Sequence, residues 1–297
     1  MTAQTLIDKI IIKLKYHHLL DWMPDKQYLE LMYWTLMHRK LDLQNPQSFN
    51  EKLQWLKLYD RNPDYTHMVD KYEAKKYVAD RIGERYIIPT LGVWDSFDEI
   101  DFEALPNQFV LKCTHDSGGL VICKDKSKLD LRCAREKLEK SLKTDYYLNW
   151  REWPYKNVKP RIIAEKYMED NKDKELRDYK IYCFNGKMKM LLVVQDRGIK
   201  ATKGDYFDEY YHHLDLTWGF PHAEQVPDIP DSIHIMRELA EILSKGLPEV
   251  RVDFYYANGK VYFGEMTFFD GSGFEKIEPY DWDLKLGSWV DIESLRK

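Results

Sequence analysis

The sequence predicts an α+β protein in which a helical N-terminal region precedes a part rich in β-hairpins. Helical patterns fill residues 1 to about 60, whereas strand patterns dominate after about residue 160. Two Asn-Gly pairs, Asn185-Gly186 and Asn258-Gly259, each separate two apolar runs, which is the strongest short-range signal for a β-hairpin. With 297 residues, the chain is long enough for one large α/β unit or for two to three lobes that share a cleft.

Capping signals place the N-terminal helices. Ser48 stands three residues before Glu51, which is the spacing of a capping box at a helix start. A later helix is predicted from Tyr72 to Ile82, because Gly83 directly after it is a common helix end. An apolar and aromatic run at 29–37 predicts a further helix in this region.

The remaining elements follow from apolar periodicity and from glycine positions. We predict helices at 129–142 and 231–245, the latter ending at Gly246. We predict strands at 86–89, 109–113, 120–123, 161–165, 178–184, 187–194, 250–256 and 260–266. These elements divide the chain into a helical region at 1–70, a central lobe at 71–165 and a C-terminal lobe at 166–297.

Composition excludes several classes of protein. The formal net charge is −5 and no long basic run occurs, so nucleic acid is not an expected partner. Cys113, Cys123, Cys133 and Cys183 form no Cys-x-x-Cys pair and lack zinc-site spacing, so we predict buried, reduced thiols in a cytoplasmic protein. The start of the chain shows no signal peptide, and no apolar run approaches the roughly 20 residues of a membrane span.

Residues 4–20 have an amphipathic pattern. Apolar residues such as Leu6, Ile10 and Leu14 alternate with Lys9 and Lys13. Packing on the protein's own core or on a partner is the favoured interpretation, because apolar stripes at helical spacing usually mean core. The alternative is a helix that rests on a membrane surface, which would give the protein peripheral membrane contact.

A lysine and a glycine-containing loop form the first candidate site. Lys112 ends a predicted strand, and Ser117-Gly118-Gly119 follow in the loop after it. A lysine supplies a point charge for phosphate oxygens, and glycine allows backbone N–H groups to approach them closely. The alternative is an ordinary hairpin loop that needs glycine for its backbone angles.

Two carboxylates form the second candidate site. Asp253 and Glu265 lie on the two arms of the Asn258-Gly259 hairpin, where a regular ladder brings them close together. A magnesium ion bound to nucleotide phosphates would neutralise the pair. The competing interpretation is a salt bridge to Arg251 or to a nearby lysine.

Two further segments carry polar groups at the ends of predicted strands. The apolar strand at 162–164 continues into a charged and aromatic stretch, which is suited to holding a flat base. Residues 177–180 and 195–197 lie at the start and end of the Asn185-Gly186 hairpin, so their cations are placed to clamp a phosphoryl group. An exposed salt-bridge cluster is the alternative for this second group.

These elements occur in the order that ATP-grasp enzymes use, and the chain resembles the TupA-like ATP-grasp family over roughly residues 45 to 285. The resemblance implies the ATP-grasp fold, in which two α+β lobes clasp ATP, here with a helical N-terminal extension. It also implies ATP and Mg²⁺ as cofactors. Lys71 looks like the family's first nucleotide-contacting lysine and Lys112 like the lysine that reaches the α-phosphate. The loop 115–119, which begins with His115, looks like the mobile loop that closes over the phosphates.

The resemblance assigns one segment to the base. Residues 165–168, which are Glu165, Lys166, Tyr167 and Met168, look like the hinge that contacts adenine. The acid that contacts the ribose is left open.

The resemblance also assigns the catalytic and metal residues. Asp178 and Lys180 match the positions at which related ligases carry Asp-Ile-Arg, and Arg197 matches a second phosphate-side arginine. Lys180 and Arg197 would stabilise the transferring phosphoryl group. Asp253 and Glu265 look like the two magnesium carboxylates.

The chain departs from the family pattern at two positions. Thr267 stands where many related ligases have a metal-binding asparagine, and Lys180 stands where an arginine fork is usual. Glu169, Asp170 and Glu175 are all candidates for the ribose contact.

The resemblance implies an ADP-forming carboxylate–amine ligase. A carboxylate attacks the γ-phosphate of ATP, and an amine then displaces phosphate from the acyl phosphate to give an amide. The implied substrates are an amino acid or amine and a uronic acid, or a growing peptide on a surface polymer. The segment 268–274 is predicted to form a wall of the acceptor site.

Two rival functions remain open at this point. Asp281-Trp282-Asp283 has the Asp-x-Asp form that holds a metal and a nucleotide sugar in glycosyltransferases, although a surface turn is favoured there. A non-catalytic ATP-grasp-like protein is the second rival. The adjacent histidines at 17–18 and 212–213 do not share a face, and we interpret them as surface or hydrogen-bonded residues and not as metal ligands.

Overall fold

The computed structural model describes residues 3–171, 176–195 and 201–296. Its helices are α1 Ala3–Tyr16, α2 Asp25–Met37, α3 Phe49–Tyr59, α4 Asp64–Val69, α5 Glu73–Ile82, α6 Leu131–Leu142, α7 Tyr147–Trp150, α8 Ile233–Leu243 and α9 Tyr280–Trp289. Its strands are β1 Thr90–Trp94, β2 Phe109–Cys113, β3 Leu120–Cys123, β4 Ile162–Lys166, β5 Asp178–Phe184, β6 Lys187–Gln195, β7 Lys203–Asp208, β8 Thr217–Trp218, β9 Glu249–Ala257, β10 Lys260–Thr267 and β11 Ile277–Glu278.

Two antiparallel sheets organise the molecule. The smaller sheet has the strand order β1-β4-β2-β3, and the larger has the order β10-β9-β5-β6-β7. Both Asn-Gly hairpins are confirmed, and all four of their turn residues have positive φ, between 50° and 77°. Such angles at both central positions define a type I′ turn, whose twist matches that of the strands on either side. A short ladder between β8 and β11 forms a third, two-stranded sheet.

Three apolar clusters hold these layers together. The largest combines the five-stranded sheet with α3, α4, α5, α8 and α9. A second lies between the four-stranded sheet and α6, and a third joins α1 and α2 to Phe274. Because α5 packs with the larger sheet, a boundary at residue 70 does not coincide with a division between cores. The proposed domain borders at residues 70 and 165 remain predictions.

The capping box at the start of α3 is confirmed. The Ser48 hydroxyl accepts a hydrogen bond from the Glu51 N–H, and the Glu51 carboxylate accepts one from the Ser48 N–H. The Asn50 N–H, another donor of this first turn, donates to Asp283 Oδ1 over 3.0 Å. This contact fixes α3 against α9 and satisfies helix donors that would otherwise be buried without partners.

The Asp281-Trp282-Asp283 segment is not the predicted surface turn. It forms the first turn of α9, and the side chain of Asp283 is buried against the start of α3. This carboxylate accepts a hydrogen bond from the first turn of α3, so Asp283 has a structural role.

The predicted strand at 86–89 is also wrong. Gly83, at φ +101°, turns the chain out of α5, and Glu84–Tyr86 then form a short 3₁₀ turn. The carbonyl of Ile88 accepts a hydrogen bond from Lys75 Nζ instead of entering a ladder. The sheet begins only at the Pro89 carbonyl, which accepts from the Lys166 N–H.

The amphipathic helix α1 uses only part of its apolar surface for packing. Ile11, Ile12 and Leu14 pack into the third cluster, as the favoured interpretation predicts. Leu6 and Ile10, however, are about half exposed, at 49% and 50%. Within the described ranges, no helix is both long enough and apolar enough to cross a membrane.

The cysteine prediction holds for three of the four thiols. Cys113, Cys123 and Cys183 are buried, whereas Cys133 is exposed on α6. All four are free.

Candidate active site

A cleft between the two sheets contains most of the predicted site residues. Its narrow pocket, about 40 Å³, lies where α5 and β4 face the hairpin of β9 and β10. Its wide pocket, about 450 Å³, continues toward β7 and β8. The two pockets share four lining residues, so they form one continuous cleft: Lys71, Lys112, Tyr255 and Glu265.

Glu165 joins two lysines at the narrow pocket. Its carboxylate oxygens lie 2.6 Å from Lys75 Nζ and 2.6 Å from Lys112 Nζ. Burial alone would raise the pKa of Glu165, but the two lysines overcome this effect and hold the pKa below its ordinary value. The site therefore carries one more positive than negative charge, which suits it to a nucleotide phosphate.

Lys71 connects the start of α5 to the loop 114–119. Its N–H donates to the Thr114 carbonyl over 3.0 Å, and its Nζ donates to the Asp116 carbonyl. Burial lowers the pKa of Lys71, while Glu265 and Asp116 oppose the shift. Lys71 thus faces the loop on one side and a magnesium candidate on the other.

The loop after β2 is held by Asp116. The Asp116 carboxylate accepts hydrogen bonds from the Gly119 N–H, at 3.0 and 3.1 Å, and from the Ser141 hydroxyl. A Cβ at Gly119 would lie 2.4 Å from Ser141 Oγ and 2.7 Å from Cys113 Sγ, so only glycine fits there. Asp116, Ser117 and Gly119 line the wide pocket.

His115 and Gly118 do not line either pocket. The His115 imidazole is buried, with Nε2 3.1 Å from the Ser141 carbonyl and 3.2 Å from the Thr144 carbonyl. It therefore anchors the loop to the end of α6 and faces away from the cleft. Gly118 has open space where a side chain would be, with Asp116 Oδ2 3.8 Å away.

Asp253 and Glu265 face each other across the β9–β10 hairpin, but through a bulge that shifts the register by one residue and not through the regular ladder that the prediction assumed. They are register partners next to a bulge between Phe263 and Glu265. Asp253 is buried, whereas the Glu265 side chain is 46% exposed toward the cleft. Thr267 Oγ1 lies 3.3 Å from Glu265 Oε1, so the threonine can support this carboxylate even where it is a poor metal ligand.

Arg251 and Lys180 neutralise this acidic pair. Arg251 donates to both oxygens of Asp253, over 2.7 and 2.8 Å, and to Glu265 Oε1 over 3.2 Å. Lys180, the register partner of Asp253 on β5, forms an ion pair with Asp253. Burial would raise the pKa of Asp253, but Arg251 and Lys180 hold it below its ordinary value. The salt bridge to Arg251 and to a lysine that competed with the metal interpretation is therefore present.

The same donor set fits magnesium. Carboxylate oxygens are the ligands that Mg²⁺ prefers, and one or two of them with phosphate oxygens make a normal site. Glu265 is accessible from both pockets, and Asp253 lies directly opposite it. An ion bound here would compete with Lys180 for Asp253, because both are cations that need the same oxygen atoms.

The predicted adenine hinge is only partly at the cleft. Glu165 lines the narrow pocket, whereas Lys166, Tyr167 and Met168 do not. The Tyr167 hydroxyl donates to Glu169 over 3.1 Å.

The segment that follows the hinge holds the second hairpin turn. Asp170 accepts a hydrogen bond from the Asn258 N–H over 2.8 Å, and the Glu169 carbonyl accepts one from the Asn258 side chain over 3.0 Å. These two ribose candidates therefore engage the turn. Glu175, the third, lies outside the described residues.

The remaining predicted site residues do not all lie at the cleft. Lys180 lines the wide pocket, but Asp178, opposite Tyr255 in the ladder, lines neither pocket. Arg197 lies outside the described residues, so its role stays a prediction.

Several residues at the cleft were not predicted for it from the sequence. Arg251 was considered only as a salt-bridge partner. It stands two residues before Asp253 on the same strand, and residues two apart on a strand point to the same face of the sheet. Lys75 lies on α5, four residues after Lys71, which precedes the helix. Asp270 was predicted only as part of the acceptor segment 268–274, and its pairing with Arg251 gave no signal in the sequence.

The far wall of the wide pocket is aromatic and acidic. The rings of Tyr206 and Trp218 stack at 6.1 Å with 10° between their planes. Phe220, Gly271 and Glu275 complete this wall. The predicted acceptor segment 268–274 thus contributes Asp270 and Gly271 to the pocket.

Solved structures share features of this fold at low identity. The match to D-alanine–D-alanine ligase from Bacillus anthracis complexed with ATP has 16% identity and a TM-score of 0.43, and it covers 77% of this chain and 65% of that one. D-cycloserine synthetase DcsG matches with 16% identity and a TM-score of 0.44 over 77% of this chain and 71% of that one. D-alanine–D-alanine ligase from Helicobacter pylori matches with 13% identity and a TM-score of 0.43 over 82% and 70%. The chain thus spans slightly less than two thirds of the Bacillus anthracis ligase.

Sequence comparison identifies the family. No curated protein sequence is significantly similar to this chain. The family model described as TupA-like ATPgrasp matches residues 51–291, which include both sheets and every described residue of the cleft. The chain therefore belongs to the TupA-like ATP-grasp family and has the ATP-grasp fold.

Proposed function

We propose that this protein is an ATP-dependent, ADP-forming ligase that joins a carboxylate to an amine. The observation that carries the proposal is the position of Asp253 and Glu265, which face each other at the junction of the two pockets with Lys71 and Lys112 nearby. Membership of the family supports ATP as the nucleotide. The ligases among the structural matches act on D-alanine or make D-cycloserine, and an amide-forming reaction for this chain is in keeping with them.

The nucleotide would occupy the narrow pocket and direct its phosphates toward the wide one. The pocket is narrow, at about 40 Å³, so we expect the two sheets to move apart as the adenine ring enters. Lys75, Lys112 and Glu165 would release part of their mutual ion pairing to the incoming phosphates. Lys71 would move together with the loop 114–119, because its Nζ is hydrogen-bonded to that loop.

Mg²⁺, when bound by Asp253 and Glu265, would offset the negative charge of the phosphates. Arg251 would hold both carboxylates in position through its hydrogen bonds to them. Lys180, displaced from Asp253, would be free to stabilise the transferring phosphoryl group. Arg197 is assigned the same role as a prediction.

The reaction requires no covalent attachment to the protein. A substrate carboxylate oxygen forms a bond to the γ-phosphorus, and ADP leaves. The amine nitrogen then attacks the acyl carbon, loses a proton, and inorganic phosphate departs. The loop 114–119 and the aromatic wall would keep water away from the acyl phosphate.

We further propose a uronic acid or a surface-polymer precursor as the carboxylate and an amino acid or other amine as its partner. Phe220, which is partly exposed and lies beside the buried rings of Tyr206 and Trp218, offers an apolar surface suited to a sugar face. Asp270 and Glu275 supply negative charge for an ammonium group. Burial raises the pKa of Glu275 and nearby Asp270 adds to the shift, and a bound ammonium group would oppose this shift.

We also propose a cytoplasmic location with peripheral contact to the membrane through residues 4–20. Exposed Leu6, Ile7 and Ile10 on α1 support this contact, and Lys9 and Lys13 would attract anionic headgroups. Co-sedimentation with vesicles of anionic lipid tests it. Leu6→Asp and Ile10→Asp together are expected to abolish binding, and unchanged binding would contradict the proposed contact.

The Asp281-Trp282-Asp283 motif does not support the rival glycosyltransferase function, because Asp283 accepts a hydrogen bond from the start of α3. A direct test of the ligase function uses hydroxylamine, which traps acyl phosphates as hydroxamates. Uronic acids and amino acids would be offered singly as carboxylates with ATP and Mg²⁺, and ADP and hydroxamate would be measured. Equal amounts of both, dependent on one carboxylate, are expected. ADP formation that no carboxylate stimulates would refute the acyl-phosphate mechanism.

A further inference from the structure

Three side chains of types that commonly bind metals lie close together at the outer edge of the larger sheet, away from the cleft. Asp205 lies on β7, His213 follows the turn after this strand, and His222 lies further along the same returning segment. Asp205 and Tyr206 are neighbours in a strand, so their side chains point to opposite faces. Tyr206 lines the wide pocket, and the three side chains therefore lie on the reverse of that wall.

The geometry of the three groups is close to that of a metal site. Asp205 Oδ1 lies 3.0 Å from His213 Nε2 and 3.0 Å from His222 Nδ1. All three ligand atoms lie within 4.8 Å of one another. Zinc bonds of about 2.0–2.1 Å in a tetrahedron place ligand atoms about 3.3 Å apart, so small side-chain rotations suffice to admit the ion.

The surroundings favour coordination of an ion over solvation of a free carboxylate. The Asp205 side chain has no exposed surface, and each histidine is about one third exposed. Asp205 Oδ2 accepts a hydrogen bond from the Ala223 N–H over 3.2 Å, which orients the carboxylate as outer-shell contacts orient metal ligands. The exposed side of the histidines leaves space for water as a fourth ligand.

We propose that Asp205, His213 and His222 form a second metal site, which binds Zn²⁺ or a similar divalent transition-metal ion. Two imidazoles and one carboxylate are a common zinc donor set, whereas Mg²⁺ prefers oxygen ligands alone. The site is thus chemically distinct from the proposed magnesium pair at Asp253 and Glu265. Histidines 212 and 213 do not share a face, but the fold pairs His213 with the distant His222.

The bound ion would stabilise the aromatic wall of the wide pocket. The segment from His213 to His222 carries Trp218 and Phe220, which line that pocket. Two backbone hydrogen bonds already hold this segment against β7. The Leu214 N–H donates to the Tyr206 carbonyl, and the Gly204 N–H donates to the Pro221 carbonyl. A metal with ligands at both ends of the segment would fix it more firmly on the sheet.

Zinc binding by the full-length chain tests this proposal without reference to ATP. The protein would be prepared without a histidine tag, stripped with a chelator and titrated with Zn²⁺ against a chromophoric competitor, with no nucleotide or magnesium present. One tightly bound Zn²⁺ per chain is expected. His213→Ala and His222→Ala are each expected to weaken binding by at least about tenfold, since even outer-shell changes cost this much.

His212→Ala is the matched control. This neighbouring histidine is 78% exposed and contacts Asp208, not Asp205, so its variant should bind Zn²⁺ as the wild type does. Zn²⁺ should also raise the melting temperature of the wild type and of His212→Ala, but not of the two ligand variants. Failure of the wild type to bind Zn²⁺, equal binding by His213→Ala and His222→Ala, or an equal loss in His212→Ala would each overturn the proposal.

Discussion

Lys57 on α3 is the point at which the N-terminal helices hold the acceptor side of the cleft. Its buried ammonium group donates to Gln54 Oε1 over 3.1 Å, to the Trp150 carbonyl over 2.9 Å and to the Ser272 carbonyl over 2.7 Å. Ser272 also donates from its hydroxyl to Glu152 over 2.5 Å. The segment 270–273 contributes Asp270 and Gly271 to the wide pocket. The N-terminal region is therefore part of the support for the site.

Lys57→Met tests this role, because methionine keeps much of the side-chain volume and removes the donor. The Gln54 side chain and the Trp150 carbonyl each lose their donor, at about 1–3 kcal/mol each, whereas the Ser272 carbonyl keeps a hydrogen bond from Gln54 Nε2 over 3.2 Å. Relief from burying the charge offsets part of this loss, since burial lowers the pKa of Lys57 to about 7. We expect a net loss of about 2–4 kcal/mol in the free energy of unfolding, from two acceptors left unpaired less this relief.

Urea unfolding followed by circular dichroism measures this loss, and Lys52→Met is the control. Lys52 lies on the same helix but, among the residues that the structure describes, its ammonium group donates only to the Val290 carbonyl, at 2.7 Å, from a partly buried position. Its loss should be about 1 kcal/mol. A loss for Lys57→Met no larger than that for Lys52→Met would refute the role assigned to Lys57.

Two further predictions concern buried carboxyl groups. Glu249 is buried, and within the described ranges neither of its carboxylate oxygens has a hydrogen-bond partner; burial raises its pKa well above the ordinary value, and Asp270 adds to the shift. The unfolded chain releases this proton near pH 4.3 and the folded chain only at higher pH, so wild-type stability falls as pH rises between the two values. Glu249→Gln should therefore stabilise the protein by about 1–3 kcal/mol at pH 8 and by less at pH 4.5 in urea unfolding, and a loss of stability at pH 8 would contradict this account. Asp283→Ala should cost about 1–2 kcal/mol by removing a cap from α3 while ADP formation stays within twofold; loss of activity in a folded variant would contradict its structural role.

Local sequence signals predicted the parts of the fold that depend on neighbouring residues. The turn at Asn258-Gly259 predicted the hairpin, but a regular ladder from that turn would pair Asp253 with Gly264. The bulge between Phe263 and Glu265, which the sequence did not reveal, brings Glu265 opposite Asp253. The capping box at Ser48 located the start of α3 because its two hydrogen bonds lie within one helical turn.

Contacts between distant segments could not be predicted in this way. Lys180 meets Asp253 because β5 and β9 are adjacent in one register, and strand periodicity alone gives the face of a residue but not its partner. His115 has a residue type common in active sites, yet it turns toward the end of α6. Asp283 belonged to a motif with a known metal-binding form, but the position of α9 against α3 gives it another partner.

The central claim is that Asp253 and Glu265 bind the magnesium of a nucleotide complex. Thermal unfolding with and without ATP and Mg²⁺ tests it most directly, using the wild type, Asp253→Asn, Glu265→Gln and, as a control, Glu238→Gln on the exposed face of α8. Each gain is compared with the same variant without ligand, because Asp253 also neutralises Arg251 and Lys180. Mg²⁺ and ATP at a hundredfold excess over Kd should stabilise the wild type and the control by about 2.7 kcal/mol, and both site variants should lose the part that depends on magnesium. No stabilisation of the wild type, or an undiminished gain in both site variants, would contradict the account.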